Sequence, residues 1–381
     1  MLKTLKIENF RGFQSFELQQ LGRVNLLVGV NNSGKTSILE AIQLLCSQAS
    51  FVPLSEVIIE RGECSWSDDK GTYELDVSHL FYGHEIEKIS TFSILGINDH
   101  NQQKLCVSIG VDPILSRQLT VTNFEGEASS FAETPVDEPL HELAKRLYFT
   151  INWTHGDALV FRKQPLSPNG CLYLSDQDIH SWRIANKKLT PKTQLIRSSS
   201  LTIEMMTELF EQVVLTAEEQ LVYKALQTIE PRIERIASVR SRRSIYPSSR
   251  GGFVMRLSDS EQRVPIGSLG DGIWRMLGLA LAIVSVKGGV LLVDEIDTGL
   301  HFSALSDMWK LIWETAKKLD VQVFATTHNS DCWTSLASIA SQKDAAVDGI
   351  TIQRLEPDKK TSVVFTEKEI AIAAERGIEV R

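Results

Sequence analysis

Apolar and polar residues alternate over Leu2 to Phe10 and again over Phe13 to Leu18, with Arg11-Gly12 between. A period of two predicts a pair of half-buried strands. Val24 to Val28 is a short apolar run that predicts a buried strand, and after it Ile38, Leu39, Ala41, Ile42 and Leu45 recur at helical spacing over Ser37 to Cys46. Between 51 and 180 the apolar runs are short and broken by Gly, Asn and Asp. Leu105 to Val111, Arg146 to Trp153, Ala158 to Arg162 and Cys171 to Leu174 predict antiparallel strands of a β-rich lobe, and the acidic stretch Glu125 to Pro139 an exposed loop. From Ser200 to Glu230 the period turns helical, until Pro231 breaks it. Gly272 to Val286 then predicts a helix, Val290 to Val293 a buried strand, His301 to Leu319 an amphipathic helix and Val321 to Thr326 a further strand. Strands near 350–355 and 362–365 precede a last helix, with Thr366 as N-cap, Glu369 placed for a capping box and Gly377 at the exit. The expected fold is α/β, divided into an N-terminal segment 1–50, a β-rich lobe 51–185, a helical insert with a basic end 186–246 and a C-terminal segment 247–381.

The chain has 381 residues, 43% of them hydrophobic, enough for a large core. A net charge of −8 excludes a general nucleic-acid binder, so a nucleic-acid contact needs a local basic face. Arg232, Arg235, Arg240, Arg242, Arg243 and Arg250 form one, with Glu230 and Glu234 opposing. Two readings of it stand side by side: a phosphate-backbone surface for DNA, or arginines paired with acids of the β-rich lobe. Cys46, Cys64, Cys106, Cys171 and Cys332 are scattered and form no C-x-x-C pair, which fits reduced thiols. There is no apolar leader at the N-terminus, and the longest apolar stretch, Met276 to Val286, is too short to span a bilayer. A cytoplasmic protein without membrane association is expected.

Gly29-Val30-Asn31-Asn32-Ser33-Gly34-Lys35-Thr36 reads G-x-x-x-x-G-K-T, between a predicted strand and a predicted helix. That is the P-loop: glycines let backbone N–H groups converge on phosphates, a lysine reaches the β- and γ-phosphates, and a hydroxyl ligates Mg²⁺. Gly29, Asn31, Asn32, Ser33, Gly34, Lys35, Thr36 and Ser37 are the candidate phosphate cradle, with ATP and Mg²⁺ as cofactors. The run Val290 to Val293 ends in Asp294-Glu295. Asp294, with Thr36, is the candidate Mg²⁺ holder, and Glu295 is the candidate that orients or deprotonates the attacking water. Ala325-Thr326-Thr327-His328 closes another apolar strand, and His328 is the candidate sensor of the γ-phosphate beside Glu295. Lys35, Glu295 and His328 form the candidate catalytic set.

Four segments carry a resemblance: Lys6-Ile7-Glu8-Asn9-Phe10-Arg11-Gly12-Phe13, the P-loop, Asp294 to His301, and Ala325 to Asn329. The chain resembles ABC-type ATPases of the SMC/RecF branch, and within it the small bacterial ATPases related to the OLD (overcoming lysogenization defect) nucleases. The resemblance implies a P-loop NTPase head with a mixed central sheet, an antiparallel β lobe and an inserted helical segment. It implies that Arg11 lies near the nucleotide phosphates and that His301 stands at the D-loop position, where relatives often have Asp. Ser268-Leu269-Gly270-Asp271-Gly272 lies where such ATPases carry the signature loop L-S-x-G. Gly270 then replaces the serine, while Gly272 and the helix N-terminus keep backbone donors for a phosphate held by a second subunit. ATP-dependent pairing into at least a dimer follows as an expectation. A glutamine contacting Mg²⁺ is expected in the middle region, with Gln177 a weak candidate. OLD nucleases append a TOPRIM nuclease domain; only about fifty residues follow His328 here, so no nuclease activity is expected of this chain alone. A separately encoded TOPRIM nuclease or toxin is the implied partner, as in PARIS-like anti-phage systems.

Three functions compete on these residues. The first is an ATP-hydrolysing switch that changes its grip on DNA or on an effector. The second is a nucleotide-bound scaffold that sequesters a partner without binding DNA. The third is a transporter ATPase subunit, which the Ile7-Glu8-Asn9-Phe10-Arg11 segment and the altered signature loop disfavour.

Overall fold

The computed structural model of the protein describes residues 1–67, 71–84, 86, 90–111, 147–167, 169–175, 177, 193–239, 252–341 and 349–380. At its centre lies a six-stranded sheet that gathers the most apolar runs of the chain. Its order is β11 (Thr193–Ile196), β15 (Val290–Val293), β16 (Gln322–Thr326), β3 (Val24–Gly29), β17 (Ile350–Leu355), β18 (Val363–Phe365). The first five strands run parallel and β18 closes the edge antiparallel. Both faces are covered, which explains why Val24 to Val28 and Val290 to Val293 are apolar without alternation. Leu26, Val28, Leu291, Val293, Val323 and Ala325 face one core, and Leu27, Leu292 and Phe324 face the other.

The second core lies between the central sheet with its P-loop helix (Lys35–Cys46) and an antiparallel sheet ordered β2 (Phe13–Leu18), β1 (Thr4–Phe10), β6 (Ser90–Ile97), β7 (Gln102–Val111), β8 (Leu147–His155), β9 (Ala158–Pro165). The antiparallel strands anticipated between 105 and 165 are present, within a sheet the alternation alone did not outline, and the one anticipated at 171–174 lies in another sheet. β1 and β2 belong to that same sheet, with Ile7 opposite Ile94 and Leu5 opposite Gly96. The boundary expected at residue 50 therefore runs through one sheet and does not separate two bodies. Pairing partners about ninety residues apart leave no trace in a local period, which is why alternation alone misplaced it. A helix, Phe51–Glu60, opens the stretch expected to be β-rich; its N-cap is Ser50, whose Oγ accepts from the Val52 N–H at 3.2 Å. β4 (Cys64–Ser67), β5 (Thr72–Asp76) and β10 (Cys171–Ser175) form a separate three-stranded sheet.

The helices Ile203–Val213 and Glu219–Gln227 bury Met206, Phe210, Val222 and Leu226 in the first core, against the long helix Asp271–Ser285. The stretch expected as a helical insert thus packs into the head. β12 (Ile233–Ser238), β13 (Phe253–Leu257) and β14 (Arg263–Pro265) extend the same lobe. The helix expected from His301 starts at Leu305, after a short 3₁₀ turn at Phe302–Ala304 capped by the His301 ring. The final helix Glu367–Arg376 has the expected capping box of Thr366 and Glu369, and Gly377 closes it in the left-handed region. The acidic stretch 125–139 lies outside the described residues. Burial pushes the thiol of Cys46 up to about 11 and that of Cys332 to about 12, which suits unreactive core cysteines.

Candidate nucleotide-binding site

β3 ends at Gly29 and the P-loop helix starts at Lys35, so the loop between them emerges from the carboxyl edge of a parallel sheet. Gly29 has φ +148°, and a side chain there would press on the Leu355 carbonyl; Gly34 has φ +89°, and a side chain there would overlap the Phe13 ring. Both glycines are thus required twice over, by conformation and by space. Asn32 completes the bend in the left-handed region, which asparagine tolerates. Lys35 folds over the loop and donates from Nζ to the Gly29 carbonyl (2.9 Å) and the Val30 carbonyl (2.8 Å). Burial lowers its pKa from the usual lysine value, while Asp294 and Glu295 pull it back up.

The acids arrive where the pattern placed them, on the tip of β15. Thr36 Oγ1 donates to Asp294 Oδ2 at 3.0 Å, and Thr326 Oγ1 donates to Asp294 Oδ1 at 2.6 Å. The Thr36 hydroxyl and the Asp294 carboxylate are hard oxygen donors beside the phosphate cradle, the donor set Mg²⁺ prefers. Glu295 has φ +47°, and its N–H donates to Thr326 Oγ1 at 2.8 Å. Thr327 Oγ1 donates to Asp297 Oδ1 at 2.6 Å and fastens the strand end that carries His328 to the loop after the acids. Asn31, Asn32, Ser33, Gly34, Lys35, Thr36, Ser37, Glu295 and His328 line one cleft of about 650 Å³.

Two further residues line this cleft, Arg61 and Arg197, and sequence reasoning missed both. Each is a lone arginine near an element end, a signal too weak to separate from a solvated charge. Their common anchor is Glu40, one turn along the P-loop helix and fully buried at 0%. Arg61 Nε donates to Glu40 Oε1 at 2.8 Å, and its Nη2 donates to Ser37 Oγ at 3.2 Å. Arg197 pairs with Glu60 at 2.6 Å and approaches Glu40 at 3.8 Å.

Arg11 differs from its expectation. Its side chain is 3% exposed, pairs with Glu63 at 2.6 Å, and does not line the cleft. Its Nε comes within 2.8 Å of Glu40 Oε2 but off the hydrogen-bond direction, so the contact is an ion pair without a directed bond. The reason is charge: a buried carboxylate on the P-loop helix needs a buried cation. Arg11→Met is expected to lower unfolding stability by about 3 kcal/mol, because Glu40 loses its most buried partner, and to leave ATP affinity within about threefold, a change under 1 kcal/mol. Urea titration and calorimetry on the same variant check both; a large loss of ATP affinity with unchanged stability would restore Arg11 to the phosphates.

Gln177 is exposed and does not line the cleft. Gly270 and Gly272 lie outside it too, at the start of the helix Asp271–Ser285. Gly270 has φ +92° and ψ 172°, a conformation close to glycine-only, which accounts for the absence of serine at this position. Of the basic cluster, Arg232 is paired with Glu230 and Asp259, both at 2.8 Å. Arg235 lines a groove with Tyr223 and Phe210, and Arg240, Arg242, Arg243 and Arg250 lie outside the described residues. No helix among the described residues is long and apolar enough to cross a membrane.

A parallel sheet with a P-loop after β3, a histidine beyond the tip of its neighbour β16 and an acid pair at the tip of β15, the strand after that, defines a P-loop nucleotide-binding site. Residues 1–130 match the family model described as "AAA ATPase domain", and residues 172–331 match the one described as "AAA domain, putative AbiEii toxin, Type IV TA system". The chain is 23% identical over 371 residues to an ATP/GTP phosphatase of Helicobacter pylori, covering 91% of this chain and 90% of that protein. A shorter match, 39% identical over 125 residues, is to an uncharacterized protein of Methanocaldococcus jannaschii, and covers 29% of this chain and 53% of that one. The DNA replication and repair protein RecF of Clostridioides difficile is 32% identical over 94 residues, 25% of this chain and 22% of RecF. Among solved structures, the SMC head domain from Thermotoga maritima aligns with a TM-score of 0.46 at 11% identity, covering 96% of this chain and 98% of that one. An SMC head bound to the C-winged helix domain of ScpA aligns with a TM-score of 0.48 at 15% identity, covering 96% of each.

Proposed function

We propose that the protein is a Mg²⁺-dependent ATPase that works as a molecular switch. The observation that carries the reading is the 3.0 Å hydrogen bond between Thr36 of the P-loop and Asp294 at the tip of β15, which joins two segments 258 residues apart and sets two oxygen donors side by side. The loop amides, Lys35, Arg61 and Arg197 hold and neutralise the phosphates, Thr36 and Asp294 hold Mg²⁺, and Glu295 with His328 orients a water for in-line attack on the γ-phosphate. Mg²⁺ supplies charge neutralisation on the phosphate oxygens; the rest is positioning. Two heads close over two nucleotides, each Gly270–Gly272 loop touching the phosphate held by the other, and hydrolysis reopens them. The output is a changed grip on DNA or on a separately encoded effector such as a TOPRIM nuclease or toxin. An anti-phage role in the manner of OLD-like and PARIS-like systems rests on the sequence resemblance. The pairing of Arg232 with acids gives no support to a DNA surface at that residue.

Purified protein is expected to release phosphate from ATP slowly, and to stop when EDTA removes the metal. ATP turnover that persists in EDTA defeats the assignment of Thr36 and Asp294. DNA retention that falls steeply with salt selects DNA as the output, and copurification of a second protein selects the effector.

A further inference from the structure

Arg275 stands in the second turn of the helix Asp271–Ser285 with its side chain 3% exposed, and it does not line the cleft. Its guanidinium holds three carbonyl oxygens. Nη1 donates to the Arg197 carbonyl at 2.6 Å, and Nη2 donates to the carbonyls of Asp294 (3.0 Å) and Glu295 (2.9 Å). These carbonyls belong to the ends of β11 and β15, neighbouring strands that deliver Arg197 and Glu295 to the cleft and Asp294 to the Thr36 hydroxyl. A planar fork of fixed donors can span two strand tips; a single ammonium cannot.

Glu295 needs such a holder. Its φ of +47° lies in the left-handed region, which costs a non-glycine residue of order 1 kcal/mol and persists only where neighbours enforce it. Here the Thr326 hydroxyl takes its N–H and Arg275 binds its carbonyl, so the peptide groups on both sides are pinned. Burial lowers the pKa of Arg275 to about 10, against the pull of Asp297, Asp294 and Glu295, so the cation remains charged at neutral pH in spite of its surroundings.

The helix that carries Arg275 begins at the Gly270–Gly272 loop. Its first turn is also packed on the loop after the acids: a Cβ placed on Gly272 would sit 3.5 Å from the Gly299 carbonyl oxygen, and one on Gly299 would sit 4.0 Å from the Arg275 Cβ. Loop, helix start and strand tips therefore form one block, with Arg275 as its hydrogen-bonded joint. We infer that Arg275 is the positioning residue for hydrolysis: it sets the angle at which Glu295 meets the water and transmits displacement of the Gly270–Gly272 loop to that carboxylate. The inference rests on the proposed role of Glu295.

The test uses Arg275→Lys, which keeps a buried cation, and Arg275→Met, which keeps bulk. Both are expected to leave ATP affinity within about threefold and to lower kcat on the order of 10²-fold, the cost of displacing a catalytic group by about 1 Å. Added to Glu295→Gln, Arg275→Lys is expected to cause no further loss, since both act on one carboxylate. Losses that multiply, a wild-type kcat in Arg275→Lys, or a fall in affinity that matches the fall in kcat would each overturn the inference. Amide exchange in the nucleotide-free protein reads it without any turnover: residues 294–300 should exchange faster in Arg275→Lys, and unchanged exchange also overturns it. Glu295→Gln alone separates the two proposals. If it hydrolyses ATP at the wild-type rate, the role of Glu295 falls; if it is inactive while Arg275→Lys is unimpaired, only the role of Arg275 falls.

Discussion

Lys35→Ala is expected to weaken nucleotide binding by about 100-fold. In the structure the ammonium is already aimed inside the loop, within 2.9 Å of the carbonyls of Gly29 and Val30, and its tether is the first residue of the P-loop helix. A triphosphate entering the cradle takes over those hydrogen bonds and supplies opposite charge. Burial lowers the lysine pKa and Asp294 and Glu295 raise it, so an entering anion further favours the ammonium. Two charge-assisted hydrogen bonds at about 1.5 kcal/mol each amount to a loss of roughly 3 kcal/mol, about 100-fold in affinity. The fold should survive, because Val30 is exposed and its carbonyl can turn to water. Calorimetry with ATP and Mg²⁺ measures the change. Affinity within threefold of wild type would remove the phosphate role from Lys35, and the proposed function with it.

Glu295→Gln should produce the opposite dissociation of effects: binding kept, turnover lost. The amide has the shape of the carboxylate and can still accept from Thr298 Oγ1, which lies 3.3 Å from Oε2. The backbone contacts to Thr326 and Arg275 do not involve the side chain at all. What disappears is the basic oxygen that orders and polarises the water, a contribution of about 10²- to 10⁴-fold in rate. Steady-state phosphate release should fall by that factor while ATP affinity stays within about threefold. A protein that closes in pairs over ATP should then accumulate as a dimer, because the step that reopens it is blocked, and light scattering with and without ATP reads the mass. Equal hydrolysis rates in variant and wild type would defeat the role assigned to Glu295, whatever the mass.

The parts of the site that were legible in the chain are those whose chemistry sits within a few residues of one another. Gly29 to Thr36 announces itself because the loop demands glycine at two places, a lysine and a hydroxyl at fixed spacing, and a strand and helix on either side. Asp294-Glu295 was legible as acids closing an apolar run, and His328 as a polar residue closing another. The signature-like glycines were legible too, but their departure from serine acquired a reason only when Gly270 was found at φ +92°.

Residues that act through distant partners were not legible. Arg11 sits in a motif that pointed to phosphate, yet its neighbours are Glu40 and Glu63, 29 and 52 residues away in sequence, and a buried carboxylate outweighs a motif. Arg61 and Arg197 reach the cleft from the end of one helix and the tip of an edge strand, with nothing local to distinguish them from surface arginines. Arg275 lies amid the apolar residues of a helix, where its sequence context reads as an interruption of a core face.

By itself, then, the chain determined its strand–loop–helix phosphate cradle, the order of its apolar strands and the acids and histidine at their ends, because backbone conformation and hydrophobic period are set by residues close together along the chain. Only the tertiary structure decided that the first strands join the 90–165 strands in one sheet. It also decided which arginines line the cleft and which one holds the backbone carbonyls of Asp294 and Glu295. Strand pairing and the compensation of buried charge depend on groups that meet across long sequence separations, and no local pattern encodes the meeting.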